Sequence, residues 1–169
     1  MTFAQDELKI IDYRLIPKNL KVLRLRPNQI NWSLGNNFLL LDSYNSELVL
    51  LKSNGEIKIS GGLANRNNIY GELIWAGISP IGIQVVDRLE NEIIVLDLNL
   101  NLMHNVSINH TLYPEIAQID PWGRLFMYSN TFNGIYVFEN DGVSNVPFID
   151  FSREFYSNYC IEDFAISSD

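Results

Sequence analysis

Apolar residues in this chain come in short runs, and the runs recur. Residues 39–57 read LLLDSYNSELVLLKSNGEI, residues 83–98 read IQVVDRLENEIIVLDL, and residues 125–142 read LFMYSNTFNGIYVFENDG. Each has an apolar run, a polar residue, five turn-like residues and a second apolar run. The polar residues are Asp42, Asp87 and Ser129, spaced by 45 and 42 positions, and the second runs begin at Leu48, Ile93 and Ile135. The runs are short, β-branched or aromatic, and bounded by Gly, Pro, Asn and Asp, which predicts strands rather than helices. Asn54-Gly55 and Asp141-Gly142 predict hairpin turns with positive φ at the glycines.

A further strand is predicted ahead of each pair, in QINWSLG, ELIWAGI and EIAQIDP, which start at Gln29, Glu72 and Glu115 with a spacing of 43 both times. That alignment puts Trp32 and Trp75 at one position, expected in the core between units, where large rings bury most area. Outer strands are expected in KISGG, NVSI and VPFI. A fourth copy is expected to start at Glu162, in EDFAISSD. Four-stranded units repeating every ~40–45 residues have the period of a propeller blade. One blade cannot bury both of its faces, and stacking blades side by side does so.

LLLDSYNSELVLLKSNGEI resembles the repeats of NHL-type and related six-bladed β-propellers, in which a strand ends in Asp and the next ends in an Asn-Gly-like turn. The resemblance covers residues 29–145 and the stub at 161–169. The basic residue common before the third strand of such repeats is here Glu47, Glu92 and Gly134, and Ser129 stands for Asp in the third copy. The expected fold is therefore all-β: propeller blades of four antiparallel strands, incomplete, with three blades and the start of a fourth. The expected domains are 1–28, a leading segment with an edge strand, and 29–169, the partial propeller. Because three blades and a fraction do not close a ring, the chain is expected to be part of a larger six-bladed protein. Two copies completing one ring are the alternative, and self-association is expected if the chain is this short.

Composition narrows the function. Nearly half of the 169 residues (47%) are apolar, which is enough for a packed core. Twenty acidic residues against twelve basic ones give a net charge of −8. Lys21, Arg24 and Arg26 alternate with Leu as the wet side of a strand, so no basic face for nucleic acid is expected. Cys160 is the single cysteine, which excludes an internal disulfide and a Cys-based zinc site. His104 and His110 have no acidic partner in the local sequence. Asn31, Asn105 and Asn109 head glycosylation sequons. No run reaches the ~20 apolar residues of a membrane span. FAQD, near the start, looks like the tail of a signal peptide, so a periplasmic, outer-membrane-associated or secreted protein is expected, with a cytoplasmic one as the alternative.

Two sites are expected. Trp122, in the turn DPWG, is a rim residue suited to ligand contact. Gln29, Glu72, Glu115 and Glu162 head successive inner strands and would form an acidic lip; oxygen donors from several elements suit Ca2+, the one cofactor considered. Asp42 and Asp87 are expected to cap turns rather than to bind. No P-loop, GxGxxG, HExxH or GxSxG motif occurs. The expected function is a non-enzymatic binding or scaffolding module for a protein or small molecule at the propeller face. The alternative is a six-bladed propeller enzyme, a metal-dependent hydrolase, lactonase or lyase.

Overall fold

The computed structural model describes Lys18 and residues 25–33, 35–62, 69–108, 112–140, 142–153 and 161–167. Cys160, His110, Asn109, Asp141, the FAQD stretch and most of the leading segment lie outside them.

Three antiparallel sheets carry the chain. The first contains β1 (Gln29–Ser33), β2 (Asn37–Asp42), β3 (Glu47–Leu51) and β4 (Ile57–Gly61), in that order. The second contains β5 (Leu73–Ser79), β6 (Gly82–Asp87), β7 (Glu92–Leu96) and β8 (Leu102–Ser107). The third contains β9 (Ile116–Ile119), β10 (Leu125–Ser129) and β11 (Gly134–Glu139), edged by β12 (Gly142–Val143) and β13 (Ile149–Asp150). The sheets are meanders, and β5 touches both β1 and β9, so the innermost strands line up side by side.

Period-2 alternation explains why β6 is buried along its whole length. Val85 points to the first sheet, in a cluster with Leu39, Leu41, Leu48, Leu50, Ile83, Ile94 and Leu96. Val86 points to the third, in a cluster with Trp75, Ile93, Leu125, Met127 and Phe138. Burying each such side chain is worth ~1.5–3 kcal/mol. The far face of the third sheet carries Phe126, Tyr128, Ile135 and Val137, and Ile161, Phe164 and Ile166 pack against it. Residues 161–167 form no strand. This is the all-β propeller architecture the pattern predicts: three four-stranded blades, with the segment expected to begin a fourth lying on the third.

Three details differ from the sequence reading. The inner strands are not aligned at a spacing of 43. Gln29 pairs with Leu41, Trp75 with Val86 and Ile116 with Tyr128, in each case with the residue just before Asp42, Asp87 or Ser129. An irregularity between Leu73 and Trp75 puts Ile74 in as an extra residue. Trp32 therefore lies on the face turned away from the second blade and is 71% exposed, whereas Trp75 is 5% exposed between the second and third blades. Gly55 has φ +87° as predicted, but Gly142 does not lie in the left-handed region; Asn140, at φ 49°, takes it in that turn. The third blade's outer strand is split: β12 pairs with Phe138 and Glu139, and β13 pairs with Gly134 and Ile135. Pro147, which lacks an N–H, lies in the break.

Candidate functional site

Successive hairpins of a meander alternate between the two ends of the blades. One end carries the β2–β3, β6–β7 and β10–β11 turns and the segments entering the inner strands. The other carries the β1–β2, β5–β6 and β9–β10 turns.

At the first end, Asp42, Asp87 and Ser129 are fully buried. Asp42 accepts the N–H of Arg26 at 2.6 Å and of Asn45 at 3.0 Å. Asp87 accepts the N–H groups of Gly71 (2.6 Å), Glu72 (2.9 Å) and Glu90 (3.2 Å). Each carboxylate thus caps its own turn and ties down the segment that enters the inner strand. Ser129 holds the same tie with the polarity reversed, its Oγ donating to the carbonyl of Leu112. Ser46, Asn91 and Asn133, the last residue of each turn, all adopt left-handed φ (48°, 53° and 47°). The Ser46 hydroxyl donates to Gly71 O at 2.8 Å, and Asn91 Nδ2 donates to Ile108 O at 2.8 Å. The clamped turns expose Tyr44, Leu89 and Phe132.

The four residues of the expected acidic lip are placed as follows. Gln29 Oε1 accepts the N–H of Ala76 at 3.1 Å, and neighbouring Asn31 donates to the carbonyl of the same residue at 2.5 Å, so both amides stitch the first blade to the second. Glu72 sits in a two-pronged ion pair with Arg88, whose Nε donates to Oε2 at 2.8 Å and whose Nη2 donates to Oε1. Hydrogen bonding from Arg88 lowers the pKa of Glu72, and the same bonds raise that of Arg88. Glu115 is exposed, and its charge adds to the hold on Arg88. Glu162 is exposed beside the third blade. Among the described residues no group of three or more His, Cys, Asp or Glu side chains is placed to hold a metal ion.

Glu47 was not singled out as a site. It faces Asp42 across the β2–β3 pair and is 4% exposed, and among the described residues its Oε1 has no hydrogen-bond partner. Burial, then the Asp42 charge, raises its pKa. The only signal in the sequence was a Glu where related repeats carry a base.

At the second end, Trp122 projects from the β9–β10 turn and is 65% exposed. Its turn is fixed from three sides. Asp120, 3% exposed, accepts the N–H groups of Trp122 and Arg124, each at 2.9 Å, and the Nε of Arg124 at 2.6 Å. Burial works against the Asp120 carboxylate, but the bonds from Arg124 and Trp122 outweigh it and keep its pKa low. Gly123, at φ +93°, turns the chain, and its carbonyl accepts Nε2 of the buried Gln84 from the second blade at 2.9 Å. The Arg124 guanidinium stacks 5.7 Å from the Trp122 ring centre and 5.5 Å from that of Phe126. Ile81, Trp122, Gly123, Arg124, Glu139 and Asn140 open onto a cleft of about 270 Å3.

No protein-family model matches the chain, and comparison with curated proteins finds no significant match. Solved structures do match it. Selenomethionine-substituted virginiamycin B lyase from Staphylococcus aureus is 13% identical, with a TM-score of 0.57 over 72% of this chain and 41% of that one. A streptogramin B lyase is 14% identical, with a TM-score of 0.57 over 70% and 39%. A catalytically inactive histidine-to-alanine variant of the S. aureus enzyme, with quinupristin, gives 13%, 0.57, 72% and 41%. The chain spans about two-fifths of those proteins. At such identities the likeness is one of fold: three blades of a β-propeller.

Proposed function

We propose that this chain is a ligand-binding propeller module, with Trp122 at its contact surface. The observation that carries this is the pairing of exposure with rigidity at Trp122. A mobile exposed indole is ordinary surface. Here the backbone of the turn is held by a buried Asp, a left-handed Gly and a cross-blade amide, and the ring stacks with Arg124, so the indole projects from a fixed point; such pre-organisation lowers the entropic cost of binding. Propellers present such turns on a stiff disc, while the fold alone fixes no chemistry. The NHL-like spacing of the turns fits a binding role, and FAQD fits placement in a bacterial envelope or outside the cell.

A second reading is an enzyme. What favours it is the likeness to streptogramin B lyases, one of them solved with quinupristin. The two readings separate in one experiment: the purified chain is incubated with quinupristin, and conversion to any product is followed by liquid chromatography with tandem mass spectrometry. The binding reading expects no turnover. Turnover above a heat-denatured control would replace it with the lyase reading.

A further inference from the structure

We propose that the Trp122 cleft takes one ring of a neutral saccharide, an inference that rests on the binding reading above. Three observations select this chemistry. The indole offers a broad apolar surface, on a turn fixed at its backbone, that no core cluster uses. The C–H face of a pyranose carries slight positive charge and packs on the negative face of an aromatic ring. Around the ring stand groups that bond hydroxyls: the Glu139 carboxylate accepts, and the Asn140 amide both accepts and donates.

Charge excludes the competitors. A cationic ligand on the open face of the indole would be repelled by the Arg124 guanidinium, which stacks on the other face of the same ring. An anion would seek Arg124, but Asp120 already neutralises it and Glu139 repels a second negative group. What remains is an uncharged ligand with one apolar face and a rim of hydroxyls. The volume agrees, since about 270 Å3 is below the ~300–1,000 Å3 of drug-sized pockets and suits a single ring. The cleft lies where the second and third blades meet, with Ile81 from one and Trp122 from the other.

The test is saturation-transfer NMR on the full chain and on Trp122→Ala, with four probes that carry C–H protons: methyl β-glucoside, N-acetylglucosamine, choline and methyl phosphate. Unchanged near-ultraviolet circular dichroism from the buried Trp75 would show that the variant is folded. The two sugars should give transfer from the chain, and Trp122→Ala should weaken them about tenfold or more. Sugar binding unaffected by Trp122→Ala would overturn this site. Trp122-dependent binding of choline or methyl phosphate, with the sugars silent, would overturn the saccharide class but leave the binding module standing. Loss of every Trp122-dependent signal would overturn both.

Discussion

Asp87 accepts three backbone N–H groups in a site closed to water. Removing it strands three donors, and each buried orphan costs about 1–3 kcal/mol. Asp87→Ala should therefore lower stability by about 3 kcal/mol or more in urea unfolding. Ser129→Ala leaves the Leu112 carbonyl without its hydroxyl and the Phe132 N–H without its acceptor, at about 1 kcal/mol each. Equal losses in the two variants would contradict the clamp. These positions were legible in the sequence, because a polar residue recurring between apolar runs has to satisfy something. Glu47 has the opposite character, a buried carboxyl with no counter-charge beside it among the described residues. Its folded pKa lies above the unfolded value, so its full contribution to stability is present below pH ~4.3 and is lost as pH rises through the raised folded value. Glu47→Gln should match the parent near pH 4 and exceed it by roughly 1 kcal/mol at pH 7. A variant less stable than the parent at pH 7 would show that Glu47 is ionised and paired.

The hairpins test the account one element at a time. Gly55 has φ +87° and open space where a Cβ would go, so Gly55→Ala meets backbone strain alone, about 1 kcal/mol. Gly142 lies outside the left-handed region, and a Cβ there would meet nothing nearer than 4.0 Å, so Gly142→Ala should leave the melting temperature unchanged. The reverse ranking would contradict the described turns. The difference between these two hairpins was not legible: both sequences carry a Gly that invites positive φ, and the third blade gives that conformation to Asn140 instead. The inner strands misled for another reason. Trp32 and Trp75 sit at a spacing of 43 that looks like a repeat, but Asp42 and Asp87 are 45 apart and one extra residue at Ile74 adds a third place of shift, which turns the second indole to the other face. A bulge leaves no mark in an apolar run, so strand existence was readable and strand register was not. In the same way, Glu72 and Glu115 read as a series, while the ion pair of Glu72 with Arg88 spans 16 positions and depends on the folded entry segment.

At the scale of the whole molecule, two apolar faces flank the row of blades. Ile30 (63% exposed) and Trp32 mark the face beside the first blade, and Phe148 (65%) and Ile149 (40%) lie beside the third. Exposed apolar surface of this kind drives association. The 169-residue chain should therefore scatter light as dimers or larger species, and Trp32→Ser should shift it toward monomer. A sharp monomer peak with cooperative melting in the parent would contradict this. The cleft at Trp122 was half legible: Asp-Pro-Trp-Gly announces an exposed turn, but its tether to Gln84 of another blade appears only after folding.

The central claim is that one four-stranded unit is built three times, each copy buried by its neighbours. Amide hydrogen exchange read by mass spectrometry tests it most directly, since protection follows buried, paired strands. Three blocks of slow exchange are expected, in the β2–β3, β6–β7 and β10–β11 pairs, recurring with the 45- and 42-residue spacing of Asp42, Asp87 and Ser129, with faster exchange in β8 and in the split β12–β13 edge. One continuous protected block, or slow exchange centred on the outer strands, would contradict it.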